Sequence, residues 1–277
     1  MRPLRDDFAA LVGREADCGL ARGALEIARI AYPALEPAPY LTKLDELAED
    51  ARARMAGGLP PEAVARAVGD HLFRTCGFRG NAEDYYDPRN SFLNDVLDRR
   101  TGIPISLSVV FIEVNRRLGV AAEGVGFPGH FLVRVAGERG PVLLDPFFGG
   151  RTVGDEELIE RLQALPGGRQ LNEVPPDAVR VASTPEVLAR MLRNLLRVYA
   201  ERRDTSLALA AVDLLLVLSP DSADDLRMRG ALYESLDCAA AALADFRRYL
   251  ELAPAAPDAD DVRTRVTRLA RTNPTFH

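Results

Sequence analysis

The sequence predicts an α+β fold in roughly its first 170 residues, built from a helical N-terminal region and a small antiparallel sheet, followed by an all-α region of helical hairpins. Three observations predict it. Apolar residues recur at helical spacing from Arg5 to Cys76. A single helix near the middle of the chain is followed by short β-like runs set apart by Gly and Pro. The C-terminal part repeats itself at a fixed interval.

In the N-terminal region Leu20, Ala24, Ile27 and Ala31, and then Leu41, Leu44 and Leu47, follow one another every three or four residues, with breaks at 36–39 and 57–61. Pro60 and Pro61 sit where a helix begins, because the first turn has no use for the N–H that proline lacks. Residues 78–102 are dense in Asn, Asp, Tyr and Arg, yet Phe92, Leu93, Val96 and Leu97 keep a helical register. A helix is expected over 105–118, stopped by Gly119, with strands at 123–127, 131–135 and 142–144. The stretch 166–176, which contains Gly167 and Gly168, reads as a linker, so the expected domains are 1–170 and 177–277.

Laying Pro220 over Pro254 brings Tyr199 onto Tyr233, Ala208 onto Ala242 and Leu218 onto Leu252, a period of 34 residues. That is the tetratricopeptide (TPR) period. Leu226, Gly230, Tyr233, Ala242, Phe246 and Pro254 occupy the positions where the repeat requires its large, small and aromatic residues. Leu192, Leu196, Tyr199, Ala208, Val212 and Pro220 answer them in the first copy, with Leu196 departing from the small residue expected. Two repeats are fewer than usually stand alone, so the hairpins are expected to lean on the preceding domain and on a capping helix near 260–271.

Composition narrows the function classes. With 47% hydrophobic and 27% charged residues the chain has the make-up of a globular protein. A formal charge of -6 leaves no basic footprint for a nucleic-acid partner. Lys43 is the only lysine, a bias of the kind a GC-rich bacterial genome produces. Cys18, Cys76 and Cys238 are odd in number and widely spaced, which argues against a disulfide framework and against paired metal ligands. No run approaches the ~18 apolar residues of a membrane span, and no leader pattern opens the sequence, so no membrane association is expected and the cytoplasm is the expected location.

Of the three histidines, His277 is terminal and His71 lies in an amphipathic helix, whereas His130 stands where a turn enters a strand. Asp145 closes the neighbouring strand. An antiparallel pair with that spacing sets imidazole beside carboxylate, where the carboxylate fixes the tautomer and stabilises the imidazolium. Two readings are open: a catalytic pair, or a hydrogen-bonded brace of the sheet.

A helix, a strand entered by His and a strand ending in Asp-Pro together resemble the transglutaminase-like superfamily, related to papain-type cysteine enzymes. With FRGN (78–81), DPRNSFLNDVLDRRTGIPISLSVVF (87–111), RRLGV (116–120), GVGFPGHFLVRV (124–135) and LLDPFFGG (143–150), followed by TPR units, the chain is similar to the bacterial Sir-B-type family over nearly its whole length. The resemblance implies a nucleophilic cysteine at the N-terminus of the helix, activated by the His/Asp pair and the helix dipole. Counting back from Gly119 puts that position near Pro104, and no cysteine is there. Ser106 is the nearest nucleophilic side chain, either a nucleophile or a first-turn serine satisfying free backbone N–H groups. Cys76 closes a different helix and reads as a small buried hydrophobe or as a substitute nucleophile.

Asn81, Asp84, Tyr85, Tyr86, Asp87, Arg89, Asn90 and Asn94 form a polar cluster that either caps the next helix, with Asp87 at the N-cap and Pro88 at N1, or forms a ligand-facing rim. In the rim reading Asn81, Tyr86, Asn90 and Asn94 bind the ligand, with Asn90 and Asn94 one helical turn apart on the same face. Phe147 and Phe148 are expected to pack the sheet against a helix. No phosphate loop and no metal-ligand spacing is present, and no cofactor is expected. Two functions follow. One is a regulatory or protein-binding protein that has lost its nucleophile and uses the TPR hairpins for support or for a protein partner. The other is a hydrolase or acyl transferase using Ser106, His130 and Asp145 on an amide or ester.

Overall fold

The computed structural model describes residues 2–13 and 19–272; Cys18 and His277 lie outside the described residues. The chain divides into two compact units, Ala16–Met191 and Met1–Glu15 with Leu192–His277. Among the described residues there are twelve α-helices and six β-strands.

The first unit opens with α2 (Leu20–Ala28), α3 (Pro37–Arg52) and α4 (Pro61–Gly69), after α1 (Arg2–Val12) of the other unit. Beyond Gly69 the helix widens into a π-turn, Asp70–Thr75, closed by Cys76 N–H donating to His71 O at 2.8 Å. Next come β1 (Arg79–Gly80), a 3-10 turn at Pro88–Asn90, α5 (Leu93–Arg99) and β2 (Thr101–Gly102), which pairs in parallel with β1. α6 (Pro104–Arg117) is the centre of this unit: every side chain from Pro104 to Asn115 is buried. A helix apolar nearly all round can only be stable when enclosed, and each large side chain it buries contributes about 1.5–3 kcal/mol.

The sheet follows, with β3 (Ala122–Val125), β4 (Leu132–Gly137), β5 (Gly140–Asp145) and β6 (Arg151–Val153) antiparallel in the order β3-β4-β5-β6. The observed β3 ends two residues earlier than expected, because Phe127 N–H turns back to Val125 O at 2.9 Å where Gly126 and Pro128 break the ladder. β6, like β1 and β2, is a strand the sequence did not declare. It is three residues long and follows Gly149 and Gly150, both at positive φ (78° and 75°), a conformation that favours glycine. α7 (Asp155–Gln163) packs Leu158 onto Val125, Phe127, Leu132 and Val153. The outer edge of β3 is covered by residues 181–182, through a bridge from Val125 to Val181 and an N–H from Ala182 to Gly124 O at 2.8 Å. α8 (Thr184–Glu201) then carries the chain from one unit into the other.

In the second unit α8, α9 (Thr205–Leu218), α10 (Ala223–Ser235) and α11 (Ala239–Leu252) form two successive helical hairpins, followed by α12 (Ala259–Thr272). Tyr199 and Tyr233 each stand two residues before the end of the first helix of their hairpin, and Ala208 and Ala242 are each the fourth residue of the second. Gly230 is small for a measurable reason: a Cβ there would lie 2.7 Å from the Phe246 ring. α12 closes the stack, with Val262 and Leu269 joining Phe246 and Tyr249 in one apolar cluster. Arg229 ties the two hairpins by donating to Asp213 at 2.9 Å and, through two nitrogens, to Asp245 at 2.7 and 2.8 Å. α1 packs on α9.

Candidate functional site

The site grows from the end of β5. Asp145 is fully buried, and the chain turns sharply after it through Pro146–Phe148, so that its carboxylate caps the turn by accepting from Phe147 N–H at 3.2 Å and Phe148 N–H at 3.4 Å. Arg161, one face of α7 away, donates to Oδ2 at 3.0 Å. His130 lies in the turn that leads into β4, and its Nε2 stands 2.9 Å from both carboxylate oxygens. A carboxylate already accepting from an arginine and two amides is ionised and acceptor-only, which assigns the proton to His130 Nε2. Nδ1 has no hydrogen-bond partner among the described residues. Burial by itself would raise the Asp145 carboxyl; the hydrogen bond and charge of His130, and then those of Arg161, outweigh it and hold the group below the usual range.

Aromatic rings surround the imidazole. Phe148 stacks on it with centroids 6.0 Å apart and planes 25° from parallel, and Phe147 meets it edge-on at 6.0 Å. Tyr85 meets Phe147 at 6.4 Å and Tyr86 at 5.4 Å. Phe147 packs against β1, lying where a Cβ on Gly80 would be only 2.6 Å away. Phe148 does not: it is 53% exposed, with Tyr86 at 45% and Tyr85 at 39%, because Gly149 and Gly150 turn the chain outward directly after it.

Ser106 hydrogen-bonds to neither His130 nor Asp145. It is fully buried at N3 of α6, where it accepts from Ile103 N–H at 3.0 Å and donates toward Asn90 O at 2.5 Å, with Ile103 O at 3.2 Å. Asn90 and Asn94 do not share a helix as their spacing suggested. Asn90 ends the 3-10 turn, while α5 starts afresh at Leu93 after an extended Phe92. Asn90 is fully buried and holds the loop before it, accepting from Asn81 Nδ2 at 3.1 Å and donating to Asp84 O at 2.7 Å and Tyr85 O at 3.3 Å. Asn94 is 4% exposed, and its Oδ1 finds no partner among the described residues. Of the four rim candidates Tyr86 is the exposed one, beside a partly buried Asn81. Asp87 does cap the turn, accepting from Arg89 N–H at 3.0 Å with Pro88 at N1. Cys76 pairs with His71, Sγ to Nε2 at 3.3 Å, and burial pushes the thiol up and the imidazole down, so the pair is held neutral.

The Transglutaminase-like superfamily profile matches residues 38–193, more than half of the chain, and a Tetratricopeptide repeat profile matches residues 195–267. The chain belongs to the transglutaminase-like superfamily. It is similar to the UPF0162 protein of Xylella fastidiosa, 42% identical over 89% of this chain and 88% of that protein. It is also similar to Protein SirB1 of Salmonella typhimurium, 27% identical over 67% and 68% of the two chains. F-box only protein 21 of Mus musculus shares 35% identity over 61% of this chain and 28% of its own length. No solved structure matches.

α6 begins at Pro104. Sequence reasoning missed Arg161 and Arg190, and gave Phe148 only a packing role. Arg190, on α8, donates Nη2 to Phe127 O at 3.0 Å and His130 O at 2.6 Å, fixing the turn that holds the imidazole. Each of these residues lies far from His130 in sequence, and an arginine in a chain that has one lysine carries no signal of its own.

Proposed function

We propose that this chain is a recognition protein on a transglutaminase-like fold. It binds a protein segment at the aromatic cleft around His130 without forming a covalent acyl intermediate, and its TPR hairpins provide a surface for a protein partner. The observation that carries the reading is Ser106, whose one proton is directed to a backbone carbonyl and whose oxygen accepts from Ile103 N–H. An oriented His/Asp pair without an adjacent nucleophile has nothing to activate for acyl transfer. What such a pair retains is an open imidazole nitrogen at the base of a partly apolar cleft, which suits binding.

Activity-based labelling tests this. Wild type, Ser106→Ala, Cys76→Ala and His130→Ala are treated with a fluorophosphonate and with a thiol-reactive electrophile. The expected result is no fluorophosphonate labelling and thiol labelling indifferent to His130. Labelling abolished by both Ser106→Ala and His130→Ala would instead establish a hydrolase or acyl transferase using Ser106, His130 and Asp145.

A further inference from the structure

Beside His130 stands one cation, Arg190, that no acid answers among the described residues. Arg161 pairs with Asp145 and Glu157, and Arg151 with Glu157. Arg190 is partly buried, yet its hydrogen bonds go from Nη2 alone to two neutral carbonyls, and its guanidinium rests 5.4 Å from the Phe131 ring. It forms no ion pair among the described residues, and Nε and Nη1 have no acceptor there. A guanidinium removed from water without a counter-charge is costly, which favours an anion from outside. Burial lowers the proton affinity of Arg190, opposed by the phenol of Tyr85. Gly126 keeps its flank clear, since a Cβ there would stand 3.2 Å from Nη1.

We infer that Arg190 receives the carboxylate of a peptide ligand, while Tyr86 and Phe148 pack an apolar side chain next to it and His130 Nδ1 faces the ligand. This rests on the reading of the His130 cleft as a recognition site. An arginine presents a planar pair of N–H donors that match the two oxygens of a carboxylate, and the half-exposed rings supply area at small cost in side-chain entropy. The carboxylate can belong to a peptide C-terminus or to an acidic side chain.

The test follows the His130 imidazole by NMR in the full chain, assigned with His130→Gln, during titration with three probes. These are N-acetyl-phenylalanine, its amide, and N-acetyl-glutamate amide. A carboxylate probe is expected to shift His130 saturably, with the phenylalanine amide about tenfold weaker or more. A preference for acetyl-phenylalanine assigns a C-terminus, and a preference for the glutamate probe assigns an acidic side chain. Arg190→Met is expected to lose about tenfold or more, and Arg190→Lys to keep part of the binding. Equal binding of acid and amide overturns the carboxylate role while leaving the cleft a recognition site. No response to any probe overturns this inference, with the recognition reading still judged by the labelling experiment. Should Arg190→Met fail to fold, the comparison of acid with amide on wild type decides alone.

Discussion

Asp145 collects hydrogen bonds from an imidazole, a guanidinium and two backbone amides while wholly out of water. A carboxylate so placed stabilises the fold only while charged. Its folded value lies below 3.8, so its contribution is complete above the unfolded value and is lost as pH falls through the folded one. Asp145→Asn leaves Arg161 without this partner, and the expected loss at pH 6 is about 3 kcal/mol, the lower end for breaking a buried pair. In urea titrations the gap between wild type and Asp145→Asn should stay constant down to about pH 4 and close below it. A gap that widens on acidification would contradict the assignment. At this scale the sequence was informative about His130 and Asp145, because antiparallel neighbours bring the end of one strand to the start of the other. It was equivocal about Ser106 and wrong to set Asn90 on one helix face with Asn94, because the roles of both residues depend on which backbone carbonyl and amide groups lie within reach.

The helical hairpins were the most legible elements, since a repeat reports the same packing twice. The repeat also exposes a difference between its two copies. Asp204 caps α9 by accepting from Leu207 N–H at 3.1 Å, whereas Cys238 occupies the same place before α11 with no side-chain cap bond. The two backbones are nearly alike, with φ and ψ of -84° and 79° at Asp204 and -85° and 62° at Cys238. Cys238→Asp is therefore expected to add a cap worth about 0.5–1 kcal/mol and to raise the melting temperature by about 2 °C. A lower melting temperature would mean that the second hairpin does not follow the first in its turn. Elements without repetition were harder to read. The three-residue β6 has too few positions for a period of two to appear, and the 3-10 turn at Pro88–Asn90 interrupts what looked like one continuous helical register.

At the scale of the whole molecule, helices, a small sheet and then hairpins were readable because each unit announces itself through periodicity. The composition of the cleft was not. Tyr85, His130, Asp145, Arg161 and Arg190 come from five separate stretches of one unit, and only the folded backbone brings them within reach. The central claim is that the imidazole is anchored by Asp145 and has no hydrogen bond with Ser106, whose hydroxyl is engaged by Ile103 and Asn90. It is tested most directly by the nitrogen resonances of the His130 imidazole, recorded in wild type and in Ser106→Ala. The account predicts an imidazole protonated at Nε2 whose Nδ1 resonance is the same in both proteins. An Nδ1 resonance that moves when the Ser106 hydroxyl is removed would show that the two are hydrogen-bonded, and would restore the triad.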